Sequence, residues 1–107
     1  MNTTGEYDMT DLLTLLVTDH AEGLSVIPGQ APTVHLLGEA HPILGPAVSP
    51  QHAEALLRSL ADTRQMREFR ERGTAEFVFT FLESARFTVE ARIEHDEVQF
   101  HIHAIAA

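Results

Sequence analysis

From residue 10 onward, apolar side chains recur at the spacing of one helical face: Leu12, Leu13, Leu15, Leu16 and Val17. This predicts about three turns of helix, with Thr10 as cap, Asp11 in the first turn and Gly23 as the stop. Residues 24–27 read as a short strand that ends in a Pro28-Gly29 turn. A second strand is expected over 33–37, then a Gly38-Glu39 turn and a short third segment over 41–44. Ser49-Pro50 is a helix start, because Ser can cap and Pro at the first helical position gives up a donor that has no partner there. Ala53, Leu56, Leu57 and Leu60 continue it. Another helix is predicted over 63–72, with Met66, Phe69 and Arg70 in register and Gly73 at its end. Its other face carries Arg64, Arg67, Glu68, Glu71 and Arg72, which read as a solvated surface with ion pairs at i,i+4.

The period then changes from helical to alternating. Phe77, Phe79 and Phe81 interleave with Val78, Thr80 and Leu82, and apolar residues on both sides predict a strand buried on both faces. Phe87, Val89, Ala91 and Ile93 alternate with Arg86, Thr88, Glu90, Arg92 and Glu94. After a turn at residues 95–97, Val98, Phe100, Ile102 and Ala104 alternate with Gln99, His101, His103 and Ile105. These strands form an antiparallel meander with one wet face. The order of elements predicts an α+β fold: one domain over residues 9–107 after a flexible lead over 1–8, with helices on one face of a mostly antiparallel sheet.

Composition narrows the chemistry. The 107 residues include seven Arg, no Lys and no Cys, against sixteen Asp and Glu, for a net charge of −9. The length fits one domain, and 44% apolar residues can fill its core. Absence of Cys excludes disulfides, thiolate metal sites and thiolate catalysis; absence of Lys excludes the lysine of a phosphate loop and Schiff-base chemistry. The acidic balance argues against nucleic acid or an anionic membrane as partner. Residues 1–57 carry seven acids and no Arg, a net of −7, whereas residues 58–107 carry nine acids and seven Arg, a net of −2. All five prolines fall between Pro28 and Pro50. The first nine residues contain no base, unlike a signal peptide, and no apolar run approaches a membrane span, so a cytoplasmic location without membrane insertion is expected.

Candidate chemistry gathers on the wet face of the last hairpin. A tight turn places Glu90 beside His101 or His103 and Arg92 beside Gln99 or His101, so that Arg86, Glu90, Arg92, His101 and His103 share a face. This can be a polar docking face or a sheet surface held by cross-strand charge pairs. His101 and His103 at i,i+2 are the metal candidates, with Glu90 or His35 as a third ligand, but no helix-borne His pair supports them and no metal or cofactor is expected. Ser25, Ser49, Ser59 and Ser84 lack a recognisable base and orienting group, so catalysis is not expected.

Several segments, taken in order, resemble the N-terminal domain of the type IV pilus retraction and type II secretion ATPases, the PilT/GspE group. The segments are the helix over 10–19, Glu22-Gly23-Leu24-Ser25-Val26, and Gly29-Gln30-Ala31-Pro32-Thr33-Val34-His35-Leu36-Leu37-Gly38-Glu39. They continue with the charged helix over 64–73, Glu76-Phe77-Val78-Phe79 and Ala85-Arg86-Phe87-Thr88-Val89. The resemblance implies a single PAS-like domain. It also implies that Arg86 matches one of the arginines facing nucleotide across the cleft to an ATPase domain, with Arg92 as a second candidate. The next family arginine falls at Thr88, the family Phe-Arg reads Phe100-His101, and the Asp and His of the family's early motif are replaced by Gly23 and Ser25.

The resemblance therefore implies a non-catalytic interaction or regulatory module of a twitching-motility or secretion machine. Its expected partner is a protein, either a pilus or secretion ATPase or a second copy of the chain. The expected contact surfaces are the last hairpin's polar face and the strand edge bearing Val34 and Leu36. Two alternatives are a PAS-like sensor with a ligand pocket lined by Phe77, Phe79, Phe81 and Phe87, and a contributor to a nucleotide site on a separate ATPase through Arg86 and Arg92.

Overall fold

The computed structural model describes residues 7–105. The chain runs α1 (Met9–Asp19), β1 (Gly23–Val26), β2 (Thr33–Leu36), β3 (Glu39–Pro42), α2 (Pro50–Arg58), α3 (Thr63–Arg72), β4 (Thr74–Phe81), β5 (Ala85–Glu94) and β6 (Glu97–Ala104). The six strands form one sheet in the order β3-β2-β1-β6-β5-β4, with every pairing antiparallel. The fold is thus α+β, as the order of elements predicts. Leu12, Leu13 and Leu16 of α1, Ala53, Leu56 and Leu57 of α2, and Met66 and Phe69 of α3 meet Leu24, Val26, Val34, Val89, Phe100 and Ile102 of the sheet in one core. The helices therefore cover one face and leave the other open. Among the described residues no helix is long and apolar enough to cross a membrane.

Local signals account for most helix ends. Ser49 caps α2 by accepting from the His52 N–H at 3.1 Å, with Pro50 at the first position. Asp62 and Gln65 form a reciprocal capping box on α3, and Gly73 closes it at φ 81°. Two expectations at α1 are corrected. The cap is Asp8, whose carboxylate accepts from the Asp11 N–H at 3.3 Å, while Thr10 lies inside the helix. The helix ends at His20 in the left-handed conformation, and its N–H returns to the Leu16 and Val17 carbonyls. Tyr7 and Asp8 also belong to the ordered domain: the Tyr7 hydroxyl donates to the Pro46 carbonyl at 2.6 Å. The rest of the expected lead, residues 1–6, lies outside the described residues.

Gly23 opens β1 instead of stopping α1. A Cβ there would clash with the Ile102 carbonyl oxygen of β6, so the close approach of the two strands requires glycine. The turn between β2 and β3 is Leu37-Gly38, one residue earlier than expected, and β3 begins at Glu39. β5 and β6 join through His95-Asp96, both at positive φ, so Glu94 pairs with Glu97.

The largest correction is β4. It is an edge strand with alternating half-buried and exposed residues, not a strand buried on both faces. Phe77, Phe79 and Phe81 pack on the core from the helix side, while Val78 on the other row is 50% exposed. Apolar side chains on both rows supply the means of burial, but only neighbouring elements realise it, and none among the described residues covers the outer row. The ion pairs expected within α3 are likewise replaced: Glu54 of α2 receives both Arg58 and Arg70 at 2.6 Å, tying α2 to α3.

Candidate functional site

The open face of the sheet is where the polar chemistry collects. Strand alternation that sends Leu24, Val26, Phe100 and Ile102 into the core sends Ser25, Gln99, His101 and His103 to the other side. Register fixes the neighbours. Glu90 stands opposite His101, Arg92 opposite Gln99, Ser25 opposite both His101 and Thr33, and His35 opposite Gly23. The hairpin pairings match the nearer of the alternatives expected from the sequence.

At the centre, the Ser25 hydroxyl lies 2.8 Å from His35 Nε2 and 2.7 Å from His101 Nδ1. Ser25 is 7% exposed, walled in by these two rings on the flanking strands. A hydroxyl has one hydrogen, so it donates to one imidazole nitrogen and accepts from the N–H of the other. The two rings thereby hold complementary tautomers through one hydroxyl. Burial pushes the His101 pKa below its ordinary 6.5, and His103, Arg92 and His35 add to the effect while Glu90 opposes it. His101 is therefore held neutral near pH 7.

Around this centre the face is charged and balanced. The His103 ring stacks on His101 with centroids 6.4 Å apart and brings Nε2 to 3.6 Å from Glu90 Oε1. With the Gln99 amide turned so that its oxygen faces Arg92, the guanidinium donates to it through Nε and Nη2 at 2.9 and 3.0 Å, and Nη2 lies 3.8 Å from Glu94. Glu76 of β4 is directly opposite Glu90. Arg72, Thr74, Glu76, Glu90, Arg92 and His101 line an open groove of about 560 Å³. Two cations and two anions with a neutral imidazole suit contact with a mixed-charge surface.

The expected residues fare differently. Glu90, Arg92, His101 and His103 come together. Arg86 shares their face but lies six residues from Arg92 along β5, roughly 20 Å at strand rise. Val34 is 6% exposed and faces the core, and Leu36 packs against that core; β3 also covers the β2 edge. The expected strand-edge surface at Val34 and Leu36 is therefore corrected, because the side chains point inward and the edge is paired. Phe87 is buried in the core, and Phe77, Phe79 and Phe81 pack against that core. His35 reaches His101 through Ser25, and among the described residues no group of three or more His, Cys, Asp or Glu side chains is arranged to hold a metal ion.

Ser25 and His35 are the residues that sequence reasoning missed as a working pair with His101. The available signal was a lone hydroxyl between Leu24 and Val26 in a short apolar strand, since a buried hydroxyl needs a partner. Naming the partners required knowing that β1 sits between β2 and β6.

Solved structures share this fold, among them three ATPases. The pilus retraction motor PilT, with bound ADP, superposes with a TM-score of 0.86 at 15% identity, over 95% of this chain and 30% of that one. The ATPase DotB of Legionella pneumophila gives 0.79 at 14% identity, over 100% of this chain and 31% of that one. The DotB ATPase of Yersinia pseudotuberculosis gives 0.72 at 10% identity, over 98% and 32%. The chain thus spans about a third of the length of each, as expected of the N-terminal domain it resembles. No protein-family model and no curated protein matches the chain.

Proposed function

We propose that this chain is a non-catalytic docking module of a type IV pilus or secretion machine, an adaptor or regulator that meets a PilT-like ATPase through its open sheet face. The observation that carries the reading is the face itself. It is polar, left uncovered by all three helices, and ordered in advance by the Ser25 bridge between His35 and His101. An exposed sheet surface needs no such bridge for solubility. A surface whose side chains are already fixed binds with less ordering cost. The fold shared with a third of the PilT and DotB chains supports the choice of partner class. The lack of Lys supports a non-catalytic role, since a phosphate loop in these residues would lack its cation.

Isothermal titration of the chain against a PilT-type ATPase from the same genome tests this. Glu90→Arg reverses charge in the groove and is expected to weaken binding at least about ten-fold, the scale of losing one well-placed charge contact. Arg67→Glu, on the solvent side of α3, is expected to leave it unchanged. No binding by the wild type, or equal losses in both variants, would refute the reading. The chain alone is expected to release no phosphate from ATP.

A further inference from the structure

The two edges of the sheet are unlike. β3 is four residues long, ends in Pro42, and carries Glu39 paired with His41 at 3.5 Å. Short length, proline and charge are the usual devices that stop an edge from pairing. β4 has none of them. It is eight residues long, Thr-Ala-Glu-Phe-Val-Phe-Thr-Phe, without proline or a basic residue and with one charge, Glu76. No strand among the described residues pairs with its outer edge. Val78 is 50% exposed on the open-face row, and Leu82 is 67% exposed at the hairpin tip beyond it.

The order of side chains along β4 selects an occupant. In antiparallel pairing, residues directly opposite share a face, so a strand can meet its own copy only with a residue on the two-fold axis. With Glu76 on the axis, like charges face each other. With Phe77 there, Glu76 faces Val78; with Phe79 there, it faces Leu82. With Val78 on the axis, Glu76 faces Thr80, Phe77 faces Phe79, Ala75 faces Phe81 and Val78 faces itself. Of these registers, the last gives the only charge on the strand a polar neighbour and stacks aromatic pairs on both sides of the axis. Pairing over eight residues forms about eight backbone hydrogen bonds, close to the roughly ten of an ordinary protein interface. The trough between α3 and β4, lined by Arg64, Glu68, Arg72 and Thr74, supplies a mixed-charge rim beside it.

We propose that the outer edge of β4 pairs antiparallel with β4 of a second copy of this chain, Val78 opposite the partner's Val78, giving a closed dimer with a continuous sheet. Closure at two follows from the edges: each copy has one edge open to pairing and one blunted, so the assembly has no edge on which to grow. The dimer seam is the backbone edge of β4, which borders the His101 groove through Thr74 and Glu76, whereas the Ser25 bridge lies on β1, β2 and β6; either proposal can fail without the other.

Sedimentation velocity of the full chain over about 1–500 µM, the span of weak to firm affinities, is the test. The expected result is a monomer–dimer equilibrium without larger species. Val78→Lys places two cations on the axis and is expected to raise the Kd at least about ten-fold with unchanged circular dichroism. Thr80→Lys sets a cation opposite the partner's Glu76 and is expected to keep or tighten the dimer. Amides of β4 should exchange with deuterium more slowly as wild-type concentration rises, a readout that does not depend on any variant folding. A monomer throughout, open-ended growth, a Val78→Lys dimer of wild-type strength, a looser Thr80→Lys dimer, or β4 exchange independent of concentration would each overturn the proposal.

Discussion

Replacing Ser25 with Ala removes one oxygen atom from the middle of the sheet and leaves two imidazole nitrogens without their partner. The side chain is nearly isosteric, so no cavity forms and the change isolates hydrogen bonding. Two bonds of 2.7 and 2.8 Å are lost. Each contributes about 0.5–1.5 kcal/mol net, and His101, partly withdrawn from water, leaves a nitrogen poorly satisfied. The expected destabilisation is about 1–3 kcal/mol. β1 is the central strand between β2 and β6, so fraying at an edge cannot absorb the loss. For a domain near 100 residues, each kcal/mol lowers the melting temperature by roughly 4–8 °C. Urea denaturation at about pH 7.5, where His101 is neutral, reads the effect as a lower midpoint with unchanged slope. Combining the change with His101→Asn measures the coupling directly. The double variant should be more stable than the sum of the single losses predicts, by about 0.5–1.5 kcal/mol. A single-variant loss under about 0.5 kcal/mol, or a coupling near zero, refutes the view that this hydroxyl holds the face in order.

Three further outcomes follow from the same geometry. Because the folded protein holds His101 below its ordinary pKa of 6.5, the unfolded chain binds the proton more readily, so this residue's contribution is fully present above about pH 6.5 and is lost as pH falls below it. Thermal melts from pH 8 to 5 should show that decline flattened in His101→Asn, and an identical slope in the variant contradicts the assignment. Gly23→Ala must push β1 from β6 to relieve the clash of the new methyl group with the Ile102 carbonyl oxygen, at a cost of about 1–3 kcal/mol by urea denaturation, and a neutral result refutes the close approach. Glu54→Gln removes both exposed pairs to Arg58 and Arg70, yet should cost under about 1 kcal/mol and nothing at high salt; a larger or salt-insensitive loss shows that the α2–α3 link is more than a surface contact.

What the sequence made legible was local. Ser49-Pro50 and Gly73 mark helix ends by their own chemistry, and α3 spans the predicted residues. The β5–β6 hairpin follows from alternation, but the turn takes only His95-Asp96 instead of residues 95–97, and that closure selects Glu90–His101 and Arg92–Gln99 from the two registers that alternation leaves open. What stayed hidden depended on partners far along the chain. Ser25 and His101 are 76 residues apart and meet only because β1 inserts beside β6. From the sequence Val34 reads as part of a strand edge open to a partner, whereas β3 pairs with β2 and the core takes the side chain. The aromatic run of β4 signals burial on both rows, which no element among the described residues provides on the outer one.

The claim that the open face is the docking surface is tested most directly by mapping contacts on the folded chain. Titrating the isotope-labelled protein with a PilT-type ATPase from the same genome, and following backbone amide signals by NMR, assigns the surface residue by residue. The account predicts changes concentrated at Ser25, Glu90, Arg92, Gln99, His101 and His103, with the solvent side of α2 and α3 silent. Changes confined to the helices, or none at saturating ATPase, would contradict it.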